Sequence, residues 1–449
     1  MLSELSLKNF KSWKDTGAIA FGPITGVFGT NSSGKTSLLQ LLLLLKQTAD
    51  SPDRAQVLRF GDDRSFVNLG TFRDVAFQHD IQAALDWRVR WRLESPLRVG
   101  DPEVEDSILF EGSDMTFSAS VRQDNKERLF VEQMTYKLGE ASVSMQRKPS
   151  GDKYDLRADV GAFKLKRAVG RPWDLPHPVK CYGFPDQIRA YFQNAGFLSD
   201  LELKFEQLLS GVFYLGPLRD YPKREYTWAG ARPADMGPRG ERVVDALLAS
   251  RHDKRRISRG QGKRSLGVEE YVAHWLRELG LIDEFSVKPI AKDSNLYRVS
   301  IKKTKNAAEV LITDVGFGIS QILPVITLCY YVPSGSIVIL EQPEIHLHPS
   351  VQAGLADVLV DAVTRNRIQV ILESHSEHLL RRLQLRIAEG QLKASDTKLY
   401  FCSLQHEESQ LEHLRLDMFG RIENWPTDFF GDEFEDRAAM SRAIADRAG

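Results

Sequence analysis

The first thirty residues alternate between apolar and polar positions. Leu2, Leu5 and Leu7, then Ala18 to Phe21, then Ile24 to Phe28, each read as strand. The last of these runs into a glycine-rich loop, and the apolar stretch Leu38 to Leu45, broken by Gln40, follows it. That stretch is far short of the ~20 residues that a bilayer crossing needs, so a buried helix and no membrane partner are expected. Residues 85–180 return to short alternating segments: Trp87–Leu93, Ser107–Phe110, Met115–Val121, Ala141–Gln146 and Tyr154–Val160. Turns rich in Gly, Asp, Pro and Lys separate them, which predicts a β-rich meander. Helical spacing follows at 186–210 and again at 240–280, where a charged break runs from Arg251 to Arg264, and strand-like segments resume at 284–314. From 311 the pattern is α/β: a helix over 319–330, a buried strand at Ser336–Leu340, a helix over 350–365, a strand at Ile368–Leu372 and a helix over 376–389. The chain shows no sustained heptads, which argues against a long coiled-coil arm.

These patterns divide the chain into an N-terminal lobe (1–84), a β-rich and helical elaboration (85–310), a C-terminal lobe (311–400) and a tail (401–449). Composition narrows the class. Of 449 residues, 60 are Lys or Arg and 61 Asp or Glu. The near-neutral balance excludes a chain that binds nucleic acid through its overall charge; only a local patch could do so. The three cysteines, Cys181, Cys329 and Cys402, are too scattered for a metal site or a disulfide framework. Buried thiols in a reducing cytoplasm are expected, and no export signal is visible at the N-terminus.

The most specific chemistry is GTNSSGKT, Gly29 to Thr36, which fits G-x-x-x-x-G-K-[ST] between a strand and a helix. The backbone N–H groups of Asn31, Ser32, Ser33, Gly34 and Lys35 would cradle the β-phosphate of ATP, with Ser37 just inside the helix. Lys35 would bring a point charge to the β- and γ-phosphates, and the Thr36 hydroxyl would coordinate Mg²⁺. A second segment, SIVILEQPEIHLHP (336–349), ends a buried strand in Glu341, at the sheet edge where nucleotides bind in open α/β folds. Glu341 suits Mg²⁺ or its water shell; Gln342 stands where a general base would approach water, and Glu344 is a second candidate. In QVILESHSEHLL (369–380) another buried strand ends in Ser374, His375 and Ser376, and an imidazole there could reach the γ-phosphate. In DVGFGISQILPVI (314–326), Gly316 and Gly318 precede a helix, a second anion-friendly N-terminus that would serve another subunit.

In this order the four motifs resemble the ATPase head shared by ABC transporters, SMC proteins and overcoming-lysogenization-defect (OLD) nucleases. With LSLKNFKSW, YLGPLRDYP (214–222) and EQPEIHLHP, the chain is most similar to a bacterial branch of OLD-like ATPases. Several members of that branch act in anti-phage defence, the PtuA-type ATPases among them. The fold this implies is an ABC/SMC-type P-loop NTPase head, α/β in class, with the β-rich and helical insertion between its Walker A and Walker B motifs. By resemblance, Lys11 and Ser12 touch nucleotide, Glu341 takes the place of the Walker B Asp, and His375 is the switch histidine. Gly316, Gly318 and nearby Ser320 match the signature loop that meets the γ-phosphate across a homodimer or higher oligomer. His346 to Pro349 lie where the dimer-contacting D-loop would be, and Gln78 is the Q-loop candidate toward the metal.

The chain departs from that pattern in three places. Gln342 replaces the catalytic glutamate, and an amide cannot take a proton from water as a carboxylate does. Gly316 replaces the signature serine. Only about fifty residues follow the last expected ATPase strand, too few for an OLD-type Toprim nuclease, so a separately encoded nuclease or toxin is the expected effector. The resulting expectation is an ATP hydrolase, slow if Gln342 is unassisted, whose dimerisation regulates that partner. Two alternatives stand beside it: an ATP-locked scaffold, and an SMC-like repair ATPase. The stretch Arg251–Arg264 holds seven Lys or Arg residues and reads first as a mobile, solvated loop, second as a contact for nucleic acid or an acidic partner. Arg219, Lys223 and Arg224 either face nucleotide or buttress an interface. Trp425, Phe429 and Phe430, with the acidic residues 431–436, form either a docking segment or a tail packed on the core.

Overall fold

The computed structural model describes residues 1–101, 104, 106–149, 151–161, 163–170, 174–260, 262–426, 429 and 439–444. Phe430 and the acidic 431–436 stretch lie outside the described residues.

Period-two burial makes β1 (Leu2–Phe10) a strand with Leu2, Leu5, Leu7 and Phe10 inside. The P-loop lies between β2 (Ile24–Gly29) and α1 (Lys35–Asp50). The meander follows as β3 (Leu85–Gly100), β4 (Ile108–Gln123), β5 (Leu129–Leu138), β6 (Ala141–Arg147) and β7 (Tyr154–Asp159). Next come α2 (Leu198–Ser210), the short strand β8 (Val212–Leu215), α3 (Val243–His252) and α4 (Val268–Glu278). The C-terminal half adds α5 (Phe317–Tyr331), β9 (Ile337–Glu341), α6 (Pro349–Asp361), β10 (Gln369–Glu373), α7 (Glu377–Ala388), β11 (Thr397–Gln405) and β12 (Glu408–Leu414).

Two large sheets result. β1 pairs with β3, which continues antiparallel through β4, β5, β6 and β7, so residues 2–10 belong structurally with the meander. The other sheet runs β8-β9-β10-β2-β11-β12, parallel from β8 to β11 with β12 antiparallel at the edge. Its central strands are apolar on both faces, as parallel strands covered on both sides must be. Ile337, Ile339 and Ile371 join one core with α1, α2 and the antiparallel sheet. Val338, Leu340, Val370 and Leu372 join the other, with α3, α4, α5, α6 and α7. The leucines of α1 from Leu41 to Leu45 are all at most 2% exposed, so this helix is the wedge between the sheets. The fold is α/β, with the glycine loop between a strand of the parallel sheet and an apolar helix, as expected.

Several details differ from the expectation. The 401–449 stretch begins inside a strand: β11 pairs directly with the P-loop strand, Cys402 opposite Gly29. Phe429 packs against Phe28 and Phe401 at ring distances of 6.0 and 4.9 Å, so this part of the tail lies on the core. Residues 251–264 hold a short hairpin strand, Arg256–Ile257, paired with Leu266–Gly267. Arg255 donates to the carbonyls of Tyr331 and Val332 at the end of α5, Arg251 pairs with Glu269, and Arg264 with Glu270. Those cations serve helix ends and neighbouring carboxylates, which a mobile loop would not do. All three cysteines are buried and free, and no described helix is long and apolar enough to cross a membrane.

Candidate nucleotide site

At the P-loop two glycines are required by geometry. Gly29 has φ 135°, and a Cβ there would sit 2.0 Å from the carbonyl oxygen of Cys402. Gly34 has φ 91°, and a Cβ there would fall 2.3 Å from the Ser409 hydroxyl and 2.6 Å from that of Ser12. Only glycine fits where the backbone is left-handed and another strand passes this close. Ser12 and Ser409 hydrogen-bond at 2.6 Å, and the Trp13 indole donates to the Gly34 carbonyl at 3.0 Å. Ser12 therefore braces the loop from outside, through a strand that read as tail. Lys11, near the same turn, donates to Gln40 of α1 at 2.6 Å.

Asn31 and Ser32 are exposed on the loop, while Ser33 turns inward and donates to the Thr30 carbonyl at 2.8 Å. The Ser37 N–H donates to the Gly34 carbonyl at 3.1 Å, within the first turn of α1. The Lys35 ammonium is folded back onto the carbonyls of Gly29 and Thr30, at 3.1 and 2.6 Å. Burial lowers its pKa, against the pull of Glu373.

Thr36 finds a partner that the sequence reading passed over. Its hydroxyl donates to Glu373 at 2.7 Å. Glu373 ends β10 just as Glu341 ends β9, and the parallel register sets the two side by side. Both are nearly enclosed, at 3% and 6% exposure, and one oxygen of Glu341 has no protein partner. Burial, reinforced by Glu373, pushes the Glu341 carboxyl up to about 8; burial also raises Glu373, although Thr36 and Lys35 oppose it. Two hard carboxylates, one with an idle oxygen, beside a hydroxyl are the donor set that Mg²⁺ accepts. The available signal was the repeated ending, VILE in β9 and VILE in β10, with charge at the end of an otherwise apolar strand.

The turn after β9 holds Gln342 at φ 42°, its N–H donating to the Glu373 carbonyl at 2.9 Å. Glu344 is buried and accepts the His375 N–H at 2.7 Å, so the ends of β9 and β10 are laced together. Burial raises the Glu344 pKa. His375 is exposed, yet partial desolvation, then the Lys35 charge, lower its pKa. Arg219, after β8, is 5% exposed and donates to the Gln342 carbonyl at 3.4 Å; burial pushes its pKa down to about 10. Arg224 instead pairs with Asp314 at 2.8 Å, and Lys223 lies 3.9 Å from Asp220.

Two further expected groups make no described hydrogen bond to Thr36, Glu341 or Glu373. Gln78 sits in an exposed 3₁₀ turn with φ 50°, beside the end of β1, and no described hydrogen bond joins it to Thr36 or Glu341. Its backbone neighbours are held by β1, since Phe77 donates to Asn9 at 3.1 Å and Lys11 to Val75 at 2.6 Å. Gly316 and Gly318 open α5 on the surface, and a Cβ on Gly316 would meet nothing within 4 Å. Ser320 is buried, its hydroxyl donating to the Phe317 carbonyl at 2.7 Å. Phe317 itself is 39% exposed and its ring meets Tyr221 at a tilt and His346 edge-on, at centroid distances of 5.6 and 5.4 Å.

Three family profiles match. Residues 1–136 match an AAA ATPase domain. Residues 219–381 match an AAA domain whose description adds an AbiEii toxin and a Type IV TA system. Residues 392–439 match a protein of unknown function, DUF3696. No curated protein matches by sequence. Among solved structures, an Smc head bound to the C-winged helix domain of ScpA is similar at 11% identity and TM-score 0.47, with 92% of this chain and 98% of that one covered. An SMC head domain from Thermotoga maritima aligns at 12% identity and TM-score 0.39, covering 92% and 98%. An Smc head with an extended coiled coil, bound to the C-terminal domain of ScpA derived from Pyrococcus furiosus, aligns at 10% and 0.45, covering 99% of both chains. The P-loop sits within one AAA match and the two strand-end motifs within the other, so both parts of the site lie in segments similar to AAA ATPase domains.

Proposed function

We propose that this chain hydrolyses ATP and that nucleotide-dependent pairing of two heads sets the state of a separately encoded effector. The observation that carries the reading is the convergence at Thr36: the P-loop hydroxyl, 2.7 Å from Glu373, with Glu341 in register beside it. Oxygens of Thr36, Glu341 and Glu373 would hold Mg²⁺, which when bound offsets phosphate charge. Lys35, released from the Gly29 and Thr30 carbonyls, meets the β- and γ-phosphates, and the loop N–H groups from Asn31 to Lys35 take the β-phosphate. Glu344 accepts the proton of the attacking water in place of Gln342, and the exposed His375 imidazole reaches the γ-phosphate side. Gly316 and Gly318 present open backbone to the nucleotide of a second copy, which is what supports a paired arrangement. The toxin–antitoxin wording of one matching profile supports an effector partner, and anti-phage defence is the setting we infer from the resemblance.

One observation favours a locked scaffold instead. Gln342 carries an amide where proton transfer is needed, and that amide bonds the Glu373 carboxylate. Steady-state hydrolysis by the purified chain, beside Lys35→Ala, separates the two. Turnover that vanishes in the variant establishes the hydrolase; Lys35-dependent binding without turnover establishes the scaffold, and neither binding nor turnover rejects both.

A further inference from the structure

The turn after β9 is braced by the segment that follows β8. Arg219 uses one guanidinium nitrogen on the Gln342 carbonyl, while its Nε and Nη1 have no protein partner although the side chain is almost wholly enclosed. Glu344 is in the same condition: one oxygen is fixed by the His375 N–H, and Oε2 has no protein partner. The two charges act on each other without sharing a hydrogen bond. Buried donors and acceptors left idle are costly, and an incomplete buried pair more so. The segment bearing Arg219 is held at its far end, where Arg224 pairs with Asp314 and the Tyr221 ring meets Phe317. It therefore spans from the head of α5 to the turn that carries Gln342 and Glu344.

We propose that Arg219 is a positioning residue for hydrolysis: its idle guanidinium nitrogens take the free oxygen of Glu344 and aim the carboxylate at the attacking water. The inference rests on the hydrolase reading above. In that step the water oxygen forms the bond to the γ-phosphorus, and the bond to the bridging oxygen breaks, its electron pair leaving with ADP. The water proton passes to Glu344 and from there to phosphate or solvent. Arg219 touches none of the reacting atoms; it acts through Glu344 and through the Gln342 carbonyl that sets the turn.

The test is a cycle on the full-length chain: Arg219→Gln, Glu344→Gln and the double variant, with Arg219→Lys beside them. Hydrolysis, affinity for a fluorescent ATP analogue, and melting temperature are read for each. Arg219→Gln is expected to lower kcat roughly 30- to 100-fold while nucleotide affinity stays within about threefold. Arg219→Lys should recover at least about fivefold of that loss, and the double variant should be no more than about twofold slower than Glu344→Gln alone. Multiplying losses in the cycle overturn the proposal, as does a loss confined to affinity or a kcat unchanged in Arg219→Gln. Should Arg219→Gln not fold, Arg219→Lys replaces it in the cycle under the same criterion. A wild-type chain without Lys35-dependent turnover rejects the hydrolase reading and this proposal with it; normal turnover in Arg219→Gln rejects this proposal alone.

Discussion

Two glycine loops in this chain open apolar helices, and they end in opposite conditions. In the P-loop the two side chains that would meet phosphate and metal are taken up by the chain, Lys35 by two carbonyls and Thr36 by Glu373, and the Gly34 carbonyl is taken by Trp13. The 314–318 loop keeps its glycine backbone open, with Gly316 facing free space and Phe317 39% exposed. A similar sequence signal thus lies against another strand in one place and forms an outward face in the other. The difference is not in the loops but in what passes over them. β11 and the Ser12–Ser409 contact close on the P-loop from the side, while among the described residues no atom comes within 4 Å of a Cβ placed on Gly316.

The sharpest way to break the comparison is at Lys35. Lys35→Ala removes the one charged side chain of the GTNSSGKT loop, and ATP binding should weaken at least about 100-fold. Equilibrium titration with nucleotide measures this, and retained affinity would deny that this loop is the site. Next in size is stability. Gly29→Ala forces a Cβ against the Cys402 carbonyl at a φ of 135°, which should cost about 3 kcal/mol or more in urea unfolding. Gly316→Ala meets no atom and should stay within about 0.5 kcal/mol, while lowering hydrolysis about tenfold or more through the paired state. Equal losses of stability would erase the distinction between the loops.

A smaller effect follows from Glu341. Its folded pKa of about 8 lies above that of an unfolded carboxylate, so the folded state binds the proton more tightly. The stability this contributes is whole below the unfolded pKa and is lost as pH rises through about 8. Nucleotide-free protein should therefore lose on the order of 1–3 kcal/mol between pH 6 and 9, and Glu341→Gln should flatten that slope. Thermal melts across pH decide it; a slope unchanged in the variant would place the titration elsewhere. The smallest effect is expected at Lys254 and Lys263, whose charge reversal should leave both stability and any nucleic-acid binding unchanged within error. A marked loss of binding in filter or fluorescence titrations would restore the basic stretch as a contact.

What the sequence made legible was local. GTNSSGKT between a strand and an apolar helix, and Glu341 at the end of SIVIL, lie where the motifs expect them. Glu373 was hidden by its neighbour: the histidine two residues on drew the reading, although the charge at the strand end matched Glu341. β5 escaped because its buried positions shift phase, Val131 then Met134, where a bulge interrupts the register opposite Ser120 and Val121. β8 is a four-residue apolar run, too short to tell from a helix end. Nor could periodicity show that β11 pairs with β2, some 370 residues earlier, since parallel pairing across such a span leaves no local trace.

The most direct measurement of the paired-head account is the mass of Glu344→Gln in solution with and without ATP and Mg²⁺, by light scattering. Slowed turnover should trap the nucleotide-bound state, so the account predicts a mass near 51 kDa without ATP and at least twice that with it. A mass that stays at one chain under saturating ATP, with binding confirmed in the same sample, would contradict it.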